Sequence, residues 1–285
     1  MDEILASSWK QVEQIIDTAL AEDLASSDVT TEALIPPDLA GRAVILVKED
    51  GVLAGVEVAQ AVFRHVDPAL RVEVLIQDGA RVQKGNVVAI INGKVASILR
   101  AERTALNFLC CLSGVATETA RYVAVVECCK ARITDTRKTT PGMRMLEKYA
   151  VRMGGGQSHR LHLGDWVLIK DNHLAALPAV GLKEAVERAR QSSPLKVEVE
   201  VGSVAEAEEA LDASADIIML DNMAVEEIKQ VVELARGRAL IEASGGITLE
   251  NVFQVAETGV DLISVGAITH SAKALDLSLE LETKR

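Results

Sequence analysis

The chain has 285 residues, of which 49% are apolar and 2% aromatic, and its net charge is −12. The apolar fraction excludes a disordered chain, and the length suits one or two domains. Scarce aromatic side chains argue against single-stranded nucleic-acid binding, which relies on base stacking. The acidic N-terminus and the absence of an apolar run of roughly 20 residues predict a cytoplasmic protein without a membrane span.

The first part of the chain alternates helical patterns with short β-rich runs. The segments "SSWKQVEQIIDTALAED" and "GVEVAQAVFRHV" have the apolar spacing of helices. The runs "GRAVILVKEDGVLAG", "LRVEVLIQDGARV" and "GNVVAIINGKV" combine β-branched residues with turns that contain glycine. This part is predicted to form an α+β layer.

From "AERTALNFLCCLSGVATETARYVAVVECCK" onward, helical segments alternate with short apolar strands. The predicted strands are "ARITDTR", "WVLIKDN", "KVEVEV", "DIIMLDN", "ALIEASGG" and "LISVGA". Helices lie between most of them, such as "LKEAVERARQ", "VAEAEEAL", "VEEIKQVVELAR" and "TLENVFQVAETG". This alternation indicates parallel strands joined by crossover helices. Because no G-x-G-x-x-G motif follows the first strand, a barrel is favoured over a doubly wound dinucleotide-binding fold.

The C-terminal ends of these predicted strands carry polar residues or glycines. In parallel barrels such ends converge on one mouth, where the functional groups lie. In chain order the residues are Arg137 and Lys138, Lys170 with Asp171, Asn172 and His173, Glu200, Asp221 with Asn222, Ser244, Gly245 and Gly246, and Gly266. One charged strand end is usually a solvated cap, but six coincident endings indicate a common site.

The segment from residue 137 to residue 170 is basic within an acidic chain. It contains seven Lys or Arg residues and two acidic ones, together with His159 and His162. This surplus indicates a site for a compact, highly charged anion and not a nucleic-acid surface. The glycines of "GGGQSHR" suit a hinge or a nest of amides that lets His159 and Arg160 reach that anion.

The residue types at the strand ends indicate which ligands bind there. Arginine binds carboxylate or phosphate bidentately, and lysine binds phosphate as a point charge. Glycines in "ASGG" and "SVGA" expose backbone amides that suit a phosphate. Glu200 and Asp221 are acceptors for hydroxyl groups or for a Mg²⁺ ion that keeps its waters. Together these groups predict a phosphorylated sugar and an acidic co-substrate.

Long motifs in the chain carry a resemblance to a known family. The segment "DTRKTTPGMRMLEKYAVRMGGGQSHRLHLGDWVLIKDNH" is preceded by "ERTALNFLCCLSGVAT" and followed by "EVEV", "IMLDNM", "EASGGI" and "ISVGAITHS". In this combination the chain resembles the quinolinate phosphoribosyltransferases over essentially its whole length. Ser158 and His162 depart from the asparagine and glycine that are usual there. Neither departure removes a charged ligand.

The resemblance implies a fold and a domain organisation. It implies an α/β sandwich in residues 1–108 and an open, incomplete α/β barrel with parallel strands in residues 109–273. Residues 274–285 form a C-terminal segment that packs on the N-terminal domain. It also implies a homodimer or a higher oligomer, in which Arg103 of one subunit completes the site of its neighbour.

The resemblance further implies an activity. A phosphoribosyl group is transferred from phosphoribosyl pyrophosphate to the ring nitrogen of quinolinate, with loss of the 2-carboxylate. The products are nicotinate mononucleotide, pyrophosphate and carbon dioxide, in de novo NAD synthesis. The pyridine nitrogen already has its lone pair, so the transfer needs no general base. Acidic residues can stabilise the oxocarbenium-like sugar, while lysine and Mg²⁺ neutralise the leaving group.

Roles of single residues also follow from the resemblance. The carboxylates of quinolinate would be bound by Arg103, Arg137, His159 and Arg160. The implied catalytic residues are Lys138, Lys170, Glu200 and Asp221, and the two acidic ones would also bind Mg²⁺, directly or through water. The remaining implied substrate contacts are Thr136, Ser244, Gly245, Gly246, Val265, Gly266 and Ala267.

Two alternatives stay open at this point. A phosphoribosyltransferase for nicotinate or a related pyridine acid would meet one carboxylate fewer, whereas the cluster of cationic residues favours a dicarboxylate. A non-catalytic barrel that binds anions would have no use for Glu200 and Asp221, and both are present.

Overall fold

The computed structural model describes Leu5 and residues 8–24, 27–177 and 179–282. Ser7, at which the first predicted helical segment begins, lies outside these residues, as do the outermost residues of the predicted terminal domains. The chain divides into two compact units. The first comprises Met1–Ala120, Thr139–Gly155 and Ile268–Arg285, and the second comprises Arg121–Lys138 and Gly156–Ala267.

The described part of the chain contains helices and strands with the following bounds. The elements up to the first long helix are α1 (Trp9–Asp23), α2 (Val29–Leu34), β1 (Ala40–Val47), β2 (Gly51–Val52), α3 (Val56–Val66), β3 (Arg71–Val74), β4 (Arg81–Val82), β5 (Val87–Lys94) and α4 (Val95–Val125). The following elements are β6 (Arg132–Thr134), α5 (Arg144–Met153), β7 (Val167–Ile169), α6 (Asp171–Ala175), α7 (Leu182–Ser192), β8 (Val197–Val201), α8 (Val204–Asp212) and β9 (Ile217–Asp221). The last elements are α9 (Val225–Ala235), β10 (Leu240–Ser244), α10 (Val252–Ala256), β11 (Leu262–Ser264), α11 (Ala267–His270) and β12 (Leu277–Glu282).

None of the helices in the described part of the chain combines the length and the apolarity that a membrane span requires.

The first unit contains an antiparallel sheet with the strand order β12-β1-β5-β3. Strand β12 pairs with β1 over six residue positions, from Arg42 opposite Glu282 to Val47 opposite Leu277. Helix α3 begins after Gly55, where the carboxylate of Asp78 accepts the backbone N–H groups of Gly55 and Val56. This carboxylate stabilises the helix start, because the first N–H groups of a helix have no partner within it. Residues 108 and 109, the predicted domain boundary, lie inside α4.

The second unit is built on a six-stranded sheet with the order β6-β11-β10-β9-β8-β7. All its strand pairs are parallel. Strands β6 and β7 lie at the two edges, so the described strands form an open sheet. The predicted fold class, an open and incomplete α/β barrel after an α/β domain, is confirmed.

Several predicted elements are shorter in the structure, for example the strand that was predicted to contain Arg137 and the helix after β10. Strand β6 ends at Thr134, so Arg137 and Lys138 stand in the loop after it and not in the strand. Helix α10 begins at Val252 and not near Thr248, because the side chain of Asn251 accepts the N–H of Thr248 and closes a turn there. Both differences concern element ends, where local hydrogen bonds compete with the regular pattern.

The strands of the second unit are buried along most of their length. In β8 the residues Val197, Glu198, Val199 and Val201 are all buried. Such continuous burial is typical of parallel strands whose two faces are both covered. Alternation along the strand still places Glu198 and Glu200 on the same face. The inward face of β8 therefore carries two carboxylates.

Candidate active site

A cavity of about 560 Å³ lies in the second unit, at the C-terminal ends of its parallel strands. Of the predicted site residues it brings together Thr136, Arg137, Lys138, His159, Arg160, Lys170, Glu200, Asp221, Ser244, Gly245 and Gly246. Leu168, Met219, Asn222 and Ser264 also line it. The parallel direction of the strands explains this convergence, since each strand delivers its last residues to one edge of the sheet.

Four predicted residues stand elsewhere. Val265 donates its N–H to the carbonyl oxygen of Thr134, at 2.9 Å, and it precedes Gly266 and Ala267 in the segment that leads into α11. Arg103 lies on α4 in the first unit, with an exposed side chain. These four residues are not among those that line the cavity of the second unit.

The basic segment noted in the sequence is divided between the two units. Arg137, Lys138, Arg160 and Lys170 line the cavity. Arg144, Lys148 and Arg152 belong instead to α5 of the first unit. The anion site predicted from the whole segment therefore draws its positive charge from the residues on either side of α5.

Two guanidinium groups of the cavity have unused donors. The Nε atoms of Arg137 and Arg160 are buried and donate no hydrogen bond among the residues that the structure describes. Arg160 is held in place by its Nη1 atom, which donates to the carbonyl oxygen of Trp166 at 3.2 Å. Buried polar groups are nearly always hydrogen-bonded in native proteins. Anionic ligands with several oxygen atoms would satisfy these donors.

The segment before Arg160 is anchored on the edge strand β6. The N–H of Gln157 donates to Ile133, at 2.8 Å, and Gln157 in turn accepts from Asp135, at 3.2 Å. The N–H of His159 donates to the carboxylate of Asp135 at 2.8 Å. His159 is therefore fixed in the structure, although the preceding glycines suggested a hinge.

The His159 ring lies between two buried carboxylates. Its Nε2 atom is 3.3 Å from Oε1 of Glu198 and 3.4 Å from Oε2 of Glu242, and both glutamates are fully buried. Burial alone would lower the pKa of His159, but the hydrogen bonds and charges of the two glutamates raise it to about 9. The ring is therefore cationic at neutral pH.

Glu198 and Glu242 are functional candidates that were not predicted from the sequence. A signal was available, because Glu198 precedes Glu200 by two residues, and Glu242 precedes Ser244 by two. Residues two apart on a strand share a face. Each glutamate thus lies on the same strand face as a predicted site residue, Glu200 or Ser244, but two residues further from the end of the strand.

The acidic residues nearer the mouth are paired differently. The ammonium group of Lys170 donates a short hydrogen bond to Oε2 of Glu200. Asp221, at the end of β9, accepts from the side-chain amide of Asn222 at 3.1 Å. These carboxylates lie on neighbouring strands and are only partly covered. Their position suits ligands that enter from solvent.

A glycine loop follows β10. Gly245 and Gly246 have positive φ angles of 85° and 61°. A Cβ atom at Gly245 would lie 2.6 Å from Nδ2 of Asn222, so a side chain there would displace that amide. The loop thus leaves its backbone bare at the cavity, as close contact with a phosphate requires.

The parallel sheet, the cationic cavity at its C-terminal edge and the glycine loop define an α/β barrel whose site suits carboxylate and phosphate ligands. The sequence also matches models of one known protein family. Residues 28–113 match the N-terminal domain of quinolinate phosphoribosyl transferase, and residues 115–280 match its C-terminal domain. The chain belongs to the quinolinate phosphoribosyltransferase family.

Individual relatives agree along nearly the whole chain. The carboxylating nicotinate-nucleotide pyrophosphorylase of Mycobacterium leprae is 44% identical over 93% of this chain and 95% of its own length. A decarboxylating quinolinate phosphoribosyltransferase of Nicotiana tabacum is 42% identical over 96% of this chain and 83% of its own. The structure of nicotinate-nucleotide pyrophosphorylase from Francisella tularensis superposes with a TM-score of 0.92, at 41% identity and with 96% of each chain covered.

We predict that Gly245→Ala weakens binding of inorganic phosphate, because the new methyl group displaces the amide of Asn222 at the cavity. Gly237→Ala is the matched control. Gly237 has a similar φ of 79°, but its added Cβ would meet nothing within 4 Å. Both variants should lose about 1 kcal/mol of unfolding free energy from backbone strain. Calorimetric titration with phosphate separates them, and equal affinities in the two variants would contradict the prediction.

Proposed function

We propose that this chain catalyses the decarboxylating transfer of a phosphoribosyl group from phosphoribosyl pyrophosphate to quinolinate. The products are nicotinate mononucleotide, pyrophosphate and carbon dioxide, and the reaction belongs to de novo NAD synthesis. The observation that carries the proposal is the cavity of the second unit, which joins two arginines with unused buried donors to a bare glycine loop. The family to which the chain belongs supports the same reaction.

The proposed binding mode assigns the two ends of the cavity to different ligands. Arg137, His159 and Arg160 bind the carboxylates of quinolinate, because they supply two guanidinium groups and a buried imidazolium. Lys138 and Lys170 lie against the phosphates and the carboxylate. The backbone of Ser244, Gly245 and Gly246 surrounds the 5-phosphate, and Thr136 completes the contacts made from the cavity. Val265, Gly266 and Ala267 do not line the cavity, but they directly follow Ser264, which does, and they are proposed to lie beside the same phosphate.

The chemistry proceeds largely through the electronics of the substrates. The lone pair of the ring nitrogen attacks C1 of the ribose as the C1–O bond breaks, and pyrophosphate leaves with that electron pair. The ring is then cationic. When the bond to the 2-carboxylate breaks, its electron pair stays on the ring carbon, which takes up a proton as carbon dioxide leaves. The protein supplies position and field.

Lys170 and Glu200 have linked parts in this reaction. In the structure the two side chains form an ion pair at the cavity. Glu200 and Asp221 bring negative charge to the place where the ribose becomes positive as pyrophosphate departs. Lys170 offsets the charge of Glu200 before substrate binds, and it can turn to the departing phosphate because almost half of its side chain is exposed.

We also propose that the site takes Mg²⁺. The donor set fits, because Glu200 and Asp221 are partly solvated carboxylates on neighbouring strands, and Mg²⁺ prefers a few carboxylate oxygens together with waters and phosphates. The two residues would hold the ion directly or through water. When bound, the ion would neutralise negative charge on the pyrophosphate.

The function is tested by incubating the chain with quinolinate, phosphoribosyl pyrophosphate and Mg²⁺ and detecting nicotinate mononucleotide by mass. The same assay with nicotinate in place of quinolinate tests the nearest alternative. Product from quinolinate together with release of carbon dioxide supports the proposal. Product from nicotinate alone would replace it with the alternative, and the absence of any product would leave a barrel that only binds anions.

The metal proposal predicts that turnover falls to background in excess chelator and returns when Mg²⁺ is added back. The physical reason is that the charge of pyrophosphate stays uncompensated without the ion. Circular dichroism in the same chelator serves as the control, because the fold should not change. Full turnover in excess chelator would contradict the prediction.

We predict that Lys170→Ala lowers kcat by about two orders of magnitude or more while the fold stays intact, as loss of a charge-stabilising group typically does. Lys130→Ala is the matched control. Lys130 is exposed and pairs with Asp261 at 2.5 Å, outside the residues that line the cavity. Its variant should keep a normal rate. A folded Lys170→Ala variant with near-normal turnover would remove Lys170 from the reaction.

The proposed assembly is a homodimer in which Arg103 reaches the site of the partner subunit. Arg103 is exposed on α4, and its charge is available for such a contact. Closed two-fold symmetry would then give two shared sites per dimer. The cytoplasm is the proposed location, although the names of some plant relatives contain the words mitochondrial or chloroplastic.

The shared site predicts complementation between Arg103→Ala and Lys170→Ala. When the inactive variants exchange subunits, each mixed dimer has one site with an intact Lys170 and an intact Arg103 from the other chain. Random pairing makes about half of the dimers mixed, so roughly a quarter of wild-type activity should return. If mass measurement shows exchange and no activity returns, Arg103 does not act across the interface.

A further inference from the structure

A row of buried polar contacts runs beneath the cavity. Trp166 donates its Nε1–H to Oε2 of Glu198 at 2.6 Å, and Oε1 of Glu198 faces Nε2 of His159 at 3.3 Å. On the other side of Nε2, Glu242 approaches to 3.4 Å, and its second oxygen accepts a short hydrogen bond from Ser264. We call these five residues the buried row. They join β8, β10, β11 and the loop before β7.

The charges of the buried row require a proton on Nε2. A carboxylate that is buried without a partner is costly, and both glutamates are fully buried. Nε2 is the basic atom nearest to both carboxylates, so it must act as the donor. Its hydrogen bond goes to Glu198, and Oε2 of Glu242, which has no hydrogen-bond partner among the described residues, attracts the ring through its charge. The Trp166 ring lies 4.9 Å from the imidazole, which limits the rotation of the ring. The geometry thus fixes the orientation of His159 and the proton on Nε2. The two buried carboxylates around that proton favour a second proton on Nδ1, which makes the ring a cation.

We propose that Glu198 and Glu242 are positioning residues, which hold His159 by its Nε2 atom as a fixed cation for a carboxylate of the substrate. This inference rests on the proposed function, because it assigns His159 to the quinolinate side of the cavity. The glutamates do not line the cavity themselves. They act through the ring that they orient.

Some of the other charged groups near His159 favour the protonated ring, and others oppose it. Asp135, at the end of β6, accepts from the backbone of His159 and favours the cation. Arg160 next to it opposes the cation, as do Arg137 and Lys170, which line the same cavity. The pKa of His159 nevertheless rises from 6.5 to about 9, because the hydrogen bonds and charges of the two glutamates outweigh burial. The pKa of Glu242 is raised, first by burial and then by the charge of Glu198.

The direction of the pH dependence follows from this shift. Because the folded pKa of His159 lies above the ordinary value, the ring stays protonated through neutral pH and loses its proton only near pH 9. When a carboxylate of the row is neutralised, the pKa of His159 falls and the proton is lost at a lower pH, about 8 or below. The affinity for quinolinate should then fall as the pH rises from neutrality toward pH 9.

The first experiment measures the protonation of His159 in the protein without substrates. NMR of the chain with isotope-labelled histidine follows each ring through a pH titration, and the signal missing in His159→Asn identifies the residue. The expected pKa is about 9, and Glu242→Gln should lower it by about one unit or more. A pKa near the ordinary value, or no shift in either Glu198→Gln or Glu242→Gln, overturns the proposal. This result does not depend on which reaction the protein catalyses.

The second experiment is the pH profile of the KM for quinolinate. In Glu242→Gln this KM should rise about fourfold or more between roughly pH 6.5 and pH 8.5, while the wild-type KM stays nearly flat. The KM for phosphoribosyl pyrophosphate should change less than about twofold. Glu147→Gln is the matched control, because Glu147 is a buried carboxyl in the first unit, with a pKa raised by burial. A uniform loss at every pH would indicate a merely structural role and overturn the proposal.

A double-mutant cycle tests whether Glu242 acts through His159. In the His159→Asn background, the further change Glu242→Gln should alter the KM for quinolinate less than about twofold. Zn²⁺ binding decides the competing assignment, since the ligand atoms of His159, Glu198 and Glu242 lie within 4.8 Å of one another. One tightly bound Zn²⁺ per chain that is lost in Glu242→Gln would make the row a metal site and overturn the proposal.

Discussion

The parallel pairing of six strands is the constraint on which the site depends. Because β6 to β11 run in one direction, the residues that end β9, β10 and β11 meet the loops after β6 and β7 at one edge of the sheet. Because the strands are buried and joined by regular backbone hydrogen bonds, the positions of their last residues relative to one another are fixed. Functional groups on such rigid elements keep their geometry better than groups on loops.

The same sheet balances the charge of the site. The sequence concentrates positive charge between residues 137 and 170, yet the compensating carboxylates come from later strands. Glu198 and Glu242 lie on β8 and β10, which β9 separates. Side chains from alternate strands commonly share a layer inside barrels. Positive groups of the loops therefore rest on a negative layer of the sheet, which makes their partial burial tolerable.

Much of the fold and part of the site were predictable from the sequence. The six parallel strands were predictable because short apolar runs alternate with segments that have the apolar spacing of helices. Residues such as Lys170 and Asp221 were predictable because functional groups of parallel barrels lie at the C-terminal ends of the strands. Glu198 and Glu242 escaped because a glutamate inside a strand resembles a solvated residue until both faces of the sheet are known to be covered. The contact partners of Arg103 lie beyond any single-chain pattern, since the proposed contact joins two subunits.

The pairing of β12 with β1 has a consequence for synthesis on the ribosome. Lys48 and Glu280, which form an ion pair between the two strands, are 232 positions apart in the chain. Strand β1 thus emerges long before its neighbour, and its side that faces β12 stays unpaired while the whole barrel is translated. An open edge is a template for pairing with other chains. Newly made chains therefore complete both sheets late, because β11, which pairs with β6 and β10 in the barrel, is translated only shortly before β12.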